Sequence, residues 1–322
     1  NVATILDAGQ TDQHELYFVM ELVEGVPVTD FCRDRKLPLT DCLKLFLNIC
    51  GGVQHAHQRG VIHRDLKPAN LLAYVQDGVA HAKVIDFGIA KVIDSEAMEN
   101  RSTLAGQLIG TPQYMSPEQA SLLPQIVDIR TDVYSMGVVL YELLTGELPY
   151  ERMQRGSQSA AEVLSLVRDA PVVPLVQRGS RPSLQLARLP VDLNWIVLRT
   201  LARDPDDRYA SIEHLADDIR HFLDGRPVAA GPPTMRYRLS RWLHRHRAAA
   251  AMLVGLLAMM IVATAVSIEF AISAAQAKQN ALDALQVAEK AENLAQSRFE
   301  LAQAEGVRAQ NALQAELLQR EE

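Results

Sequence analysis

A chain of 322 residues that is 48% apolar and 22% charged can bury a core of one or two domains, which excludes wholesale disorder. Its formal net charge of -7 gives no global reason to expect a nucleic-acid partner, although arginines crowd between Arg236 and Arg247. Cys32, Cys42 and Cys50 lack metal-ligand spacing and cannot all pair, which predicts reduced, partly buried thiols in a cytosolic domain.

The chain opens on Asn1 without a methionine or a signal-peptide pattern, so its beginning is expected to lie upstream. Val2 to Leu6 and Leu16 to Met20 are apolar runs around a polar stretch, which predicts a hairpin, and Glu21 to Gly25 continues as an extended linker. From Thr40 the apolar residues Leu43, Phe46, Leu47, Ile49, Cys50 and Val53 recur at steps of three and four until Gly60. That spacing predicts a long helix with a glycine stop. Leu71 to Ala73 and Ala82 to Ile85 flank Gln76-Asp77-Gly78 as a second hairpin. Ser95 to Gln107 is polar and aperiodic, which predicts a loop holding Ser102 and Thr103.

Val133 to Thr145 is apolar nearly all round and predicts a helix buried on most sides. Asp192 to Ala202 and Ile212 to Leu223 show helical spacing, the second behind Ser211 as N-cap. The globular part is expected to end near Gly225, followed by a Pro/Gly-rich and then basic linker over residues 225–247. Residues 248–268 carry no charge and reach about 31 Å as a helix, enough to cross a bilayer. Arginines before this span and Glu269 after it predict a cell-membrane protein with the first 247 residues cytoplasmic and the tail outside. Residues 269–322 are rich in Ala, Gln, Glu and Leu, and predict one long extracytoplasmic helix. An alanine seam at steps of three and four meets Arg298, so a weak coiled coil and a partly solvated stalk both fit. Ala251 and Gly255 form a small-xxx-small pair suited to helix pairing.

Chemistry concentrates in His63-Arg64-Asp65-Leu66-Lys67-Pro68-Ala69-Asn70 and in Asp86-Phe87-Gly88. One loop sets a carboxylate, a lysine and an amide together, and a neighbouring hairpin delivers a second carboxylate. This is the kit for holding metal-bound phosphates near a hydroxyl, the chemistry of phosphoryl transfer. Either tripeptide alone usually marks a turn, but together they complete H-R-D-L-x-x-x-N followed by D-F-G.

On these motifs residues 1 to about 225 resemble the later part of a Ser/Thr protein kinase domain, close to bacterial membrane-anchored kinases. The resemblance implies an α+β protein-kinase-like fold over residues 1–224, lacking the first part of the N-lobe and with a mostly helical C-lobe. It makes Asp65 the catalytic base, has Lys67 touch the transferring phosphate of ATP, and has Asn70 and Asp86 hold Mg²⁺. Lys67 favours protein substrates with Ser or Thr hydroxyls. Met20 would back the nucleotide pocket, with main-chain groups of Glu21 and Val23 meeting adenine. His63, Phe87 and Gly88, the Glu118–Arg208 pair and Asp132 become structural residues. Arg64 becomes a receiver for phosphate on Ser102 or Thr103, and Thr111 shapes the substrate pocket.

Residues 1–60 contain no G-x-G-x-x-G, and the kinase lysine and helix glutamate that clamp ATP have no counterpart. Two readings follow: a fragment of an active kinase, weak or inactive alone, or a kinase-like module that signals by binding. The intact Asp65, Lys67, Asn70 and Asp86 favour the fragment. A third reading is a membrane scaffold or sensor working through the outer helix, with a homodimer formed through the spanning and tail helices.

Overall fold

The computed structural model describes residues 1–13, 16–87, 111–121, 127–150, 159–178, 180, 184 and 189–319, arranged as two units, Asn1–Arg245 and His246–Glu322. Gly88, Ser102 and Thr103 lie outside the described residues.

The first unit begins with an antiparallel pair, β1 (Ile5–Gln10) and β2 (Leu16–Met20), in which Ile5 faces Met20 and Gln10 faces Leu16. The first strand therefore sits further along than the apolar run Val2 to Leu6. Main-chain pairing continues through the polar Gly9 and Gln10, whereas Val2 bridges to Val84 instead. Ile5, Phe18, Val19 and Met20 remain exposed, as expected for strands with an uncovered apolar face. A second sheet has the order β3 (Val26–Pro27), β4 (Leu71–Gln76), β5 (Val79–Val84), all antiparallel neighbours. Asp77 and Gly78, at φ 51° and 76°, make the left-handed turn that matches the twist of β4 and β5.

Between β3 and β4 in sequence lie α1 (Val28–Asp34) and α2 (Leu39–His57). Helix α2 buries Cys42, Leu43, Phe46, Ile49, Cys50 and Val53, the stripe its spacing foretells. All three cysteines are free and buried, and burial pushes the Cys50 thiol far above its usual range. The chain then stops in a Schellman turn: Val61 N–H donates to Ala56 O and Gly60 N–H to His57 O, with Gly60 at φ 76°.

Helix α3 (Arg130–Thr145) is buried from Thr131 through Leu144 and closes on Gly146 at φ 79°. Gly137 allows its contact with α6 (Val191–Thr200), since a Cβ there would lie 2.7 Å from Thr200 Cβ. Around it stand α4 (Ala160–Asp169), opened by a Ser159/Glu162 capping box, and α5 (Leu175–Arg178). Helix α7 (Ile212–Leu223) follows, with Ser211 capping His214 N–H at 3.4 Å.

Residues 225–245 differ from the linker that their proline and glycine content suggests. Val228 is 4% exposed, and Asp218 accepts the N–H groups of Ala229 and Ala230 at 2.6 and 2.9 Å. The segment ends in helix α8 (Met235–Arg245), tied back by an Arg241–Asp192 ion pair and an edge-on Trp195–Tyr237 contact. Main-chain donors finding the buried Asp218 carboxylate explain why this stretch folds despite its composition.

The second unit is one helix, α9 (Arg247–Gln319), 73 residues long. It runs unbroken through residue 269, so the apolar and polar-rich segments share one helix. Its described side chains from 248 to 268 are exposed or half-exposed, and by length and composition it is a candidate membrane span.

Candidate active site

The Schellman turn after α2 aims residues 61–63 toward the start of α3, where Asp132 is fully buried. Asp132 accepts three donors: His63 N–H at 2.8 Å, Arg64 N–H at 2.9 Å and His57 Nε2 at 2.7 Å. A buried carboxylate survives when its lone pairs are filled in this way. Arg64 is held at φ 63°, a left-handed conformation costly to a residue with a Cβ. The Asp132 bond and a 2.9 Å bond from Gln119 Nε2 to Arg64 O offset that cost.

His63 joins this loop to the end of β5. Its Nε2 donates to Ile85 O at 3.2 Å, Asp65 N–H donates to its Nδ1 at 3.4 Å, and its ring centroid lies 4.7 Å from that of Phe87. The two bonds define a neutral tautomer, and burial lowers the imidazole pKa against the opposing charge of Asp132. With its folded pKa below about 6.5, the unfolded chain takes up this proton first as pH falls. Stability from His63 is therefore complete above pH about 6.5 and declines below it. Thermal melts from pH 7.5 to 5.5 are expected to show a falling Tm whose slope is reduced in His63→Phe; equal slopes would remove His63 as the cause.

Asp65 is 13% exposed at its side chain, and Lys67 Nζ lies 2.7 Å from its Oδ2. Asn70 Nδ2 donates to Asp65 O at 2.9 Å and reaches Oδ2 at 3.4 Å. Pro68 starts the short 3₁₀ turn Pro68–Asn70 that brings the amide back over the carboxylate. With its nitrogen so engaged, Asn70 presents Oδ1 as an oxygen donor. Ile85 N–H donates to Asn70 O at 2.9 Å, placing Asp86 directly beside this loop. Asp86 is exposed and sits at φ 56°, a strained setting of the kind found at functional sites. Among the described residues no three His, Cys, Asp or Glu side chains cluster as a metal site. Asn70 and Asp86 instead offer two hard oxygen donors, which suits Mg²⁺ completed by phosphate oxygens and water.

Two cavities adjoin these residues. One of about 360 Å³ is lined by Ile5, Phe18, Met20, Asp86 and Phe87, so Met20 shares a wall with the second carboxylate. The other, about 280 Å³, brings Lys67 beside Thr111 and Tyr114. The Glu21 carboxylate turns to Lys83, whose ammonium holds it below its usual range, and Glu21 N–H donates to Thr4 O at 3.0 Å. Val23 O accepts from Gly25 N–H at 3.0 Å. Further out, Arg208 grips both oxygens of Glu118 at 2.7 and 2.8 Å, with side chains 0% and 4% exposed. His57 and Gln119 hold the loop from positions that carry no local motif; a histidine in the last turn of a buried helix face is the one hint for His57.

A family model described as a protein kinase domain matches residues 1–219. The chain belongs to the protein kinase family. The β1–β2 pair is the small-sheet N-lobe of that fold, and the helical body, with the second sheet packed on it, is the C-lobe. Serine/threonine-protein kinase PknB of Mycobacterium leprae is 35% identical over 235 residues, covering 71% of this chain and 34% of that protein. PknB of Mycobacterium tuberculosis is 37% identical over 216 residues, 66% of this chain and 31% of that one. Serine/threonine-protein kinase Pkn1 of Myxococcus xanthus is 37% identical over 254 residues, 73% and 34% respectively. The chain thus spans about a third of the length of these curated relatives.

Proposed function

We propose that this kinase domain serves a serine/threonine protein kinase that moves the γ-phosphoryl group of ATP to Ser or Thr hydroxyls of proteins. The observation that carries this reading is the knot of Asp65, Lys67 and Asn70, joined to Asp86 through the Ile85–Asn70 main-chain bond. Asp65 orients the substrate hydroxyl and accepts its proton as the oxygen attacks phosphorus. Lys67, on the same carboxylate, brings positive charge to the transferred group. Asn70 Oδ1 and the Asp86 carboxylate would hold Mg²⁺, which when bound neutralises charge on the nucleotide phosphates. Met20 would back the nucleotide pocket, main-chain groups of Glu21 and Val23 would meet adenine, and Thr111 borders the cavity beside Lys67 on the substrate side. The direct test is transfer of labelled phosphate from ATP to a Ser/Thr-containing protein, using protein expressed from its complete reading frame.

Control by phosphorylation follows from Arg64. Its Nε is buried without a hydrogen-bond partner among the described residues, so its guanidinium can take a loop phosphate. The S102A/T103A variant is expected to lose autophosphorylation-dependent activation; unchanged activity and phosphopeptides would dispose of this role.

Residues 248–268 serve as a single membrane span, with the arginines before them setting residues 1–247 in the cytoplasm and the tail outside. The span and tail helices also offer a route to a homodimer, since a side chain at Gly255 meets open space on α9. Gly255→Leu is expected to weaken self-association in a membrane two-hybrid reporter, and an unchanged signal would assign the contact elsewhere.

A further inference from the structure

Helix α8 packs one face on the kinase domain and leaves much of the opposite face exposed. At about 100° per residue, Tyr237 and Arg241 share one side. Tyr237 packs edge-on against Trp195 at 5.3 Å and accepts Val228 N–H at 3.1 Å, while Arg241 pairs with Asp192. The opposite sector, about 100° wide, holds Met235, Leu239, Trp242 and Leu243. These are 78%, 56%, 50% and 41% exposed. Arg236 borders the sector on one edge and Arg238 and Arg245 on the other, all exposed. A groove of about 590 Å³ runs between Arg226 and the Arg238, Leu239 and Trp242 side of the helix.

An apolar stripe containing tryptophan, bordered by arginines, is the pattern of a helix that lies in a membrane interface. Cationic edges exclude a basic partner and favour anionic headgroups, and the chain passes from Arg245 almost directly into the apolar run 248–268. We infer that the outer face of α8 seats on an anionic phospholipid surface. Met235, Leu239, Trp242 and Leu243 enter the headgroup boundary, and Arg236, Arg238 and Arg245 bind lipid phosphates. The inner face stays on the C-lobe, so the domain itself is held at the bilayer by more than its chain connection. This inference rests on the reading of residues 248–268 as a membrane span.

The test uses the full chain in nanodiscs of phosphatidylcholine, with or without about 30 mol% phosphatidylglycerol, and lipids brominated near the headgroup. Alkaline extraction reads integration of α9 separately, and Trp242→Phe identifies the quenched emission. Trp242 is expected to be quenched strongly only with phosphatidylglycerol. The R236Q/R238Q/R245Q variant, with headgroup association about 10²-fold weaker, and high salt should both return quenching to the phosphatidylcholine level. Circular dichroism confirms that this exposed-face variant stays folded. An integrated chain with Trp242 unquenched, or quenched equally in both membranes, overturns the inference. Trp242 shielded from aqueous acrylamide but not quenched by lipid, in discs carrying two chains, assigns the face to a second copy and overturns it too. A chain extracted by alkali refutes the span reading and this inference with it.

Discussion

Asp65→Asn is expected to lower kcat for phosphoryl transfer by about 10²- to 10⁴-fold, the range associated with losing a positioned general base. The substitution keeps the size of the side chain and removes the ability to take the hydroxyl proton. Asp65 is held by Lys67 Nζ at 2.7 Å and reached by Asn70 Nδ2 at 3.4 Å, so its carboxylate is fixed before substrate arrives. If Asp65 serves the hydroxyl and not the nucleotide, as proposed, the KM for ATP should change little. Steady-state rates with varied ATP and protein substrate separate the two. A variant retaining more than about half of wild-type kcat would mean that Asp65 is not the base.

The largest expected effect on stability comes from Arg208→Ala. Arg208 holds Glu118 with two bonds and donates to the carbonyls of Ala202, Arg203 and Arg130 at 2.8 to 3.0 Å. Removing it strands a buried carboxylate and three acceptors, at a cost of about 3–5 kcal/mol. For a domain of this size that corresponds to a Tm lower by about 6–20 °C. Burial opposes ionisation of Glu118, yet its bonds to Arg208 bring its pKa below the usual carboxylate range. The stabilising contribution of the pair is thus complete above about pH 4.5 and is lost as pH falls through the lowered value. Melts at neutral pH check the first figure; a shift under about 2 °C would mean that the pair carries little of the fold.

Much of this architecture is legible in the sequence where local spacing and packing agree. The three-and-four spacing of α2, the all-apolar run of α3 and the Asp77-Gly78 turn each state their structure within a few residues. The family is legible in His63–Asn70 and Asp86-Phe87-Gly88 because phosphoryl transfer needs fixed residue types at fixed intervals. Helix α1 is not, being seven residues long and without a side-chain N-cap; it forms because Val28, Phe31 and Cys32 are buried against other elements. The packing of residues 225–245 depends on Asp218 and Trp195, partners that composition cannot reveal. The bond from His57 to Asp132 spans 75 residues, and no local pattern encodes such a distance.

The most direct measurement of the central claim is phosphate transfer from labelled ATP as Mg²⁺ is titrated, for wild type and Asp86→Asn expressed from the complete reading frame. A phosphoryl-transfer site at Asp65, Asn70 and Asp86 predicts saturable Mg²⁺ dependence in wild type, product carrying only phosphoserine and phosphothreonine, and near-complete loss of transfer in Asp86→Asn. Wild type that binds nucleotide or protein partners without transferring phosphate, or an Asp86→Asn variant with unchanged Mg²⁺ dependence, would contradict it.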